Sequence, residues 1–191
     1  MKSGERVLIG LVVFFACTQK PQQGIPNIYT LKSSNTIVIK NDSVFKNNKI
    51  YSGFLYQLFS NNDTSFVESY KDGVLNGVVK KWYPNKQLME ERHYINGKKN
   101  GKQISFWENG NKRFEFMAVN DAYEGELREW TIDGKLIHLA NFLNGQEDGA
   151  QKLWYDNGKI RANYVMIKGK RYGLLGTKNC RNVSDSIFVV K

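Results

Sequence analysis

Glycine recurs at a fixed interval in this chain: Gly53, Gly77, Gly101, Gly125, Gly149 and Gly173 stand 24 residues apart without a slip. A period in this range marks a repeat architecture, in which each unit is one supersecondary element that buries its surface against its neighbours. Other positions keep the same phase, counted from each leading glycine as position 0. Four residues before it, Gly73, Gly97, Gly145 and Gly169 recur, with Lys49 and Asp121 in the remaining places. Position 9 holds Gly110, Gly134 and Gly158, with Asn62 and Lys86 in the other two units. Position 5 is Leu58, Trp82, Phe106, Trp130 and Trp154, and position 6 is Phe59, Tyr83, Trp107, Thr131 and Tyr155.

Each phase has a mechanical meaning. Asn96-Gly97, Asn109-Gly110, Asp133-Gly134, Asn144-Gly145 and Asn157-Gly158 are pairs that supply the positive φ of tight hairpin turns at little steric cost. Between them run strand-length segments such as Gly77 to Tyr83 and Leu88 to Tyr94. The pattern predicts two strands per unit, one turn inside each unit and one between units. Composition agrees, since aromatics reach 13% and Gly (17) far outnumbers Pro (3). The expected fold class is all-β, an elongated single antiparallel sheet of consecutive hairpins, with no helical domain beyond the N-terminal segment.

Counting in twos along each strand places positions 5, 11, 13 and 17 on one face. Position 5 is then a structural ladder of rings. Leu88, Leu136 and Ile160 join it from position 11, Phe66 and Phe114 from position 13, and Tyr70, Tyr94, Phe142 and Met166 from position 17. The opposite face is expected to be mostly polar, with Gln57, Lys81, Ser105, Glu91, Glu115 and Asn163. On it Phe59, Tyr83, Trp107 and Tyr155 form a second, partly exposed aromatic row. That row is the candidate binding surface, because aromatic faces suit the apolar faces of sugar rings.

Several strings resemble the MORN repeat in its bacterial variant form: Tyr70-Lys71-Asp72-Gly73 through Gly77 to Trp82-Tyr83, Ile95-Asn96-Gly97 through Gly101 to Trp107-Glu108-Asn109-Gly110, and Phe142-Leu143-Asn144-Gly145 through Gly149 to Trp154-Tyr155-Asp156-Asn157-Gly158. The resemblance covers roughly residues 49 to 175. It implies a ribbon of hairpins forming one twisted sheet. Many bacterial members of that family carry a YwqK-type antitoxin label. The unit at Asp121-Ala122-Tyr123-Glu124 departs from the pattern, and Thr131 replaces its second aromatic, so a bulge or shifted turn is expected there.

The expected organisation has a signal segment over residues 1–16, a tether over 17–27, an N-terminal β cap over 28–48, the array over 49–173 and a C-terminal β cap over 174–191. Units begin near residues 49, 73, 97, 121 and 145. Lys2 and Arg6 precede an apolar run from Val7 to Ala16, too short to span a bilayer, and Cys17 follows. The segment resembles a bacterial lipoprotein signal, in which the cysteine thiol carries a diacylglycerol. Phe14, Phe15 and Glu5 depart from that pattern. An ordinary cleaved export signal and a cytoplasmic start are the alternatives. With Cys17 lipidated, Cys180 stands alone, so no intramolecular disulfide forms, and a small buried residue is its expected role.

The net charge is +10, but Lys and Arg are scattered and no helix gathers them. A solvated, soluble surface is the expected meaning of that charge and nucleic acid is not the expected partner; an anionic patch that meets lipid head groups or wall polymers is the alternative. Catalysis is not expected. His93 and His138 fall at positions 16 and 13, on opposite faces, which argues against a shared metal. Glu90 and Glu91 point to opposite faces, and Glu124 and Glu126 share a face without a second acidic cluster. No nucleophile elbow, Walker or Rossmann string occurs, and no metal or cofactor is implied. The expected function is a membrane-tethered interaction scaffold of the bacterial envelope with a protein or membrane partner. The alternatives are a glycan-binding or wall-binding module, or an immunity-type protein that neutralises a toxin by binding it.

Overall fold

The structure is a computed structural model that describes residues 24–174. The signal segment, Cys17, most of the tether, Cys180 and the C-terminal cap beyond Leu174 lie outside the described residues. Four short strands come first: β1 (Tyr29–Leu31), β2 (Ile37–Lys40), β3 (Ser43–Lys46) and β4 (Lys49–Ile50). The first two units follow as β5 (Gly53–Leu58), β6 (Thr64–Lys71), β7 (Val74–Leu75), β8 (Gly77–Trp82) and β9 (Leu88–Ile95). The third and fourth are β10 (Lys98–Phe106), β11 (Lys112–Val119), β12 (Ala122–Trp130) and β13 (Leu136–Leu143). The last comprises β14 (Gln146–Glu147), β15 (Gly149–Trp154) and β16 (Ile160–Ile167), and β17 (Lys170–Leu174) lies on its edge.

The described residues contain no helix. From β5 to β17 the strands pair antiparallel in chain order into one long sheet, as the repeat predicts, except that the two-residue β7 and β14 pair only with β6 and β13, which go on to pair with β8 and β15. The N-terminal cap departs from that simple pattern. β1 adds to the end of the sheet in parallel, Tyr29 opposite Phe54, while β2, β3 and β4 form a separate three-stranded sheet. The small sheet is pinned by the Val44 amide donating to the Gly73 carbonyl at 2.8 Å. Behind it Val44, Tyr51, Leu55 and Tyr70 make a buried cluster, with Ile37 and Leu75 packed against it. Gly53 is needed here. A Cβ would meet the Ile28 carbonyl at 2.6 Å and the Tyr51 hydroxyl at 2.8 Å.

Two turn chemistries alternate. Between units, both central residues have positive φ, as at Asp72-Gly73, Asn96-Gly97, Asn144-Gly145 and Lys168-Gly169. This is the two-residue turn whose twist matches the strands. Asn120 and Asp121 take the same conformation, at φ 51° and 72°. Of the bulge or shifted turn expected at that unit, the turn is not shifted, because Asp tolerates the left-handed region well enough to replace glycine. The pairing beyond it is irregular, however, with Met117 opposite Glu124 and Glu115 opposite Arg128. In the turns inside units only position 9 is left-handed, whether Asn62, Lys86 or glycine. Its amide donates to the position 6 carbonyl, for example Gly110 to Trp107 at 2.9 Å. The carboxamides of Asn61, Asn85, Asn109 and Asn157 each accept the amide two residues on, at 3.0–3.1 Å.

The assignment of faces needs a correction. In every unit the pairing slips by one residue next to position 5. Trp82 faces Leu88, but Lys81 faces Glu90, and the same slip recurs at Leu58, Phe106, Trp130 and Trp154. The residue at position 12 is a β-bulge without a partner: Ser65, Met89, Arg113, Ile137 and Arg161. Period-two counting fails across a bulge, because one extra residue sends everything beyond it to the other face. Positions 5 and 11 do share a face. Positions 13 and 17, including Phe66, Phe114, Tyr70, Tyr94, Phe142 and Met166, lie on the opposite one with positions 2 and 4. The expected polar face divides likewise: Gln57, Lys81 and Ser105 stay with positions 2 and 4, whereas Glu91, Glu115 and Asn163 share the ring ladder's side.

Position 2 is buried in every unit, as Leu55, Val79, Gln103, Leu127 and Gln151. That side is the inner face. Among the repeat strands of the outer face only Ser69 and Ile104 are buried. The two buried glutamines mend an offset between units, where Lys99 pairs with Tyr94 but Gln103 with Arg92. Gln103 Nε2 donates to the His93 carbonyl at 2.9 Å, and Gln151 Nε2 to that of Asn141 at 2.7 Å. Buried backbone acceptors left open by the offset are thus satisfied by side chains.

Candidate functional site

The turns and the position 5 ladder hold the frame, and they change little from unit to unit. Trp82, Phe106, Trp130, Trp154 and Leu58 are half-buried on the outer face. Lys112 Nζ sits 5.5 Å from the Trp130 ring centroid. The second aromatic row is built into the frame too. Tyr83 Oη donates to the Phe106 carbonyl and Trp107 Nε1 to the Trp130 carbonyl, each at 3.0 Å. Tyr83 and Trp107 thereby tie their turns to the next unit's ladder, and Arg113 covers the Trp107 ring at 4.7 Å. Phe59, Tyr83 and Trp107 are half-buried and Tyr155 is exposed.

The strand positions between turn and turn change chemistry at every unit. On the inner face position 13 reads Phe66, Glu90, Phe114, His138 and Ala162, and position 15 reads Glu68, Arg92, Phe116, Ala140 and Tyr164. Position 22 pairs with position 17 and so joins this face, as Leu75, Lys99, Tyr123, Glu147 and Arg171. These side chains interlock across strands. Phe114, Phe116, Tyr123 and Phe142 form a chain of rings with successive centroids 5.9, 4.6 and 4.9 Å apart. The tight fit is possible because the neighbours Ala118 and Ala140 are small and fully buried.

Arg92 joins the rings to the charges. Its guanidinium lies 4.6 Å from the Phe114 centroid, and its Nη2 is 3.2 Å from Glu90 Oε2. Lys81 holds the other Glu90 oxygen at 2.8 Å. Burial pushes the Glu90 carboxyl up, but Lys81 and Arg92 together outweigh it and keep the group below the usual carboxylate range. Further along, His138 Nδ1 lies 3.0 Å from Glu129 Oε2, and that hydrogen bond holds Glu129 low against the effect of burial. At the N-terminal end Glu68 accepts from Lys32 and from Tyr70 Oη, and burial followed by Glu68 pushes the Tyr70 phenol well above its ordinary value.

Between these groups the inner face opens into a cavity of about 260 Å³. Phe114, Phe116 and Tyr123 wall it, Leu127 floors it, and Arg92, Lys99 and Glu129 stand at its rim. On the outer face two adjoining depressions of about 360 and 220 Å³ share Val67 and Trp82. Tyr29, stacked on Phe54 at 4.8 Å, borders the smaller.

His93 and His138 do lie on opposite faces, each against its own glutamate. Glu124 and Glu126 share the outer face but are used singly, Glu124 accepting the Asn144 amide and Glu126 pairing with Arg128. Among the described residues no three His, Cys, Asp or Glu side chains gather as a metal site. Sequence reasoning missed two features. One is the ring chain, because the bulge hides that positions 13, 15 and 22 share a face. The other is an aliphatic row at position 18, Ile95, Val119, Leu143 and Ile167, each about half exposed. Its 24-residue phase is visible in the sequence.

A family model described as MORN repeat variant matches residues 75–96 and 147–164. The first segment spans the hairpin from β7 to β9, and the second runs from β14 into β16. These matches support the MORN repeat resemblance of the array. No curated protein matches the chain.

Proposed function

We propose that this chain is a non-enzymatic interaction scaffold of the bacterial envelope, tethered through a lipidated Cys17, which binds a protein partner across its inner face. The observation that carries this reading is the division of labour within the repeat. Turns and ladder repeat with little change, while Glu90, Arg92, Phe114, Phe116 and Tyr123 are held by their neighbours around an open cavity. Preorganised aromatic and arginine side chains at the centre of a surface are what tight protein interfaces use. A toxin neutralised by binding would be one such partner.

Two experiments test it. A photo-crosslinking residue at Phe116 or Tyr123 is expected to trap the same protein in living cells, and one at outer-face Lys152 is not. Capture from Lys152 alone would overturn the assignment to the inner face. For the tether, wild type is expected in the membrane fraction and Cys17→Ala in the soluble one. A wholly soluble wild type removes the anchor.

A second reading, a glycan site, is favoured by the outer-face groove. There the Trp82 ring lies beside a Tyr29–Phe54 stack, with Asp63 and Lys86 paired at 3.0 Å on its border. Glycan-array binding lost in Trp82→Leu but kept in Phe116→Leu would promote it over the scaffold.

A further inference from the structure

We infer that the inner-face cavity takes an apolar side chain of the partner flanked by a carboxylate, so that the partner segment is acidic. The inference rests on the scaffold reading and specifies its partner. It starts from the charges at the rim. Arg92 is matched by Glu90 at 3.2 Å, and Glu129 by His138 at 3.0 Å. Lys99 also lines the cavity, yet among the described residues no carboxylate lies in ion-pair reach of its ammonium. The nearest acid along the strand pair is Asp121. It spends one oxygen on the Lys99 backbone amide at 2.8 Å and makes no ion pair with the side chain.

The other members of position 22 are all engaged. Leu75 packs on the core cluster, Tyr123 belongs to the ring chain, and Glu147 and Arg171 pair with each other at 3.4 Å. Of the position 22 side chains, Lys99 presents an unmatched charge beside an apolar wall. A cavity of about 260 Å³ lined by three rings and Leu127 accommodates one large apolar side chain. A carboxylate next to that side chain would then meet Lys99 where rings on one side exclude water, which strengthens the pair. The net charge of +10 on the whole chain favours an acidic partner at longer range.

The test uses the full chain and three fluorescein-labelled peptides: one with a Phe between two Asp, one with both Asp changed to Asn, and one with the Phe changed to Gly. Anisotropy titrations are expected to rank the first tightest by about tenfold, a ratio that follows from one partly desolvated ion pair and one filled cavity. In Lys99→Gln the preference for Asp over Asn is expected to vanish, and in Lys99→Glu to reverse. Lys102→Glu, an exposed outer-face change of the same charge, should leave it in place. Equal affinity for the Asp and Asn peptides, no binding of the first, or a preference removed as fully by Lys102→Glu as by Lys99→Glu would overturn the inference. The scaffold reading is judged separately. If crosslinks from Phe116 trap a protein while acid preference is absent, only the cavity's chemistry is wrong. If they trap none, the scaffold falls with it.

Discussion

Gly53 and Gly125 occupy the same repeat position, and replacing each by alanine should cost very different amounts. At Gly125 the backbone has φ +71° and nothing lies within 4 Å of an added Cβ. The substitution there pays only for the left-handed conformation, about 1–2 kcal/mol, less about 0.4–1 kcal/mol returned by a stiffer unfolded chain. A net loss of about 1 kcal/mol is expected. At Gly53 φ is +146°, where an L side chain is strained by about 1–3 kcal/mol. The new methyl would also lie 2.6 Å from the Ile28 carbonyl, which accepts the Phe54 amide at 2.7 Å. Relieving the overlap means moving β1 off the end of the sheet, adding about 1–3 kcal/mol. Less the same return from the unfolded chain, the total is about 2–5 kcal/mol, and the difference between the two variants about 1–4 kcal/mol. Urea unfolding followed by far-UV circular dichroism measures it. With a slope of about 2 kcal/mol/M, the midpoints should separate by about 0.5–2 M. Equal midpoints, at unchanged slope, would refute the close approach at Gly53 and with it the placement of β1.

Three further outcomes follow from the same geometry. Trp107→Phe keeps the ring but removes the Nε1 bond to the Trp130 carbonyl, and a loss of about 0.5–1.5 kcal/mol is expected in thermal melts; no change would mean that the bond does not tie the units. Glu90 has its folded pKa depressed, so its contribution to stability is fully present above the unfolded value near 4.5 and is lost as pH falls through the lower folded one. The acid limb of the stability profile should therefore be shallower in Glu90→Gln, and parallel profiles would refute the assignment. Deleting Met89 removes the bulge residue of its unit and leaves Leu88 opposite Trp82 and Glu90 opposite Lys81 in an unbroken ladder, so Glu90, Arg92 and Tyr94 keep the inner face. Hydrogen exchange should then show β9 amides as protected as those of β15 and β16, and loss of that protection would refute Met89 as the bulge residue.

The hairpin array was legible because glycine and asparagine at left-handed turn positions leave a mark that needs no tertiary information. Trp82, Trp130 and Trp154 could be placed on one ladder for the same reason, since they lie on the near side of the bulge in their units. The ring chain from Phe114 to Phe142 could not be found. Nothing in Arg113 or Ile137 announces that it has no partner, and a missed bulge inverts every side chain that follows it. The parallel pairing of β1 was equally hidden, because three residues with Tyr29 among them fit either direction.

By itself the chain's composition and phasing settle local matters: where the backbone must turn with positive φ, how long each strand is, and that units stack at a constant interval. These are properties of a residue and its immediate neighbours. Which side chains meet across strands was decided only when the strands paired, because the bulge, the offset mended by Gln103 and Gln151, and the meeting of Lys99 with rings from later strands are relations between segments many residues apart. The surface on which partner binding is proposed belongs to that second class.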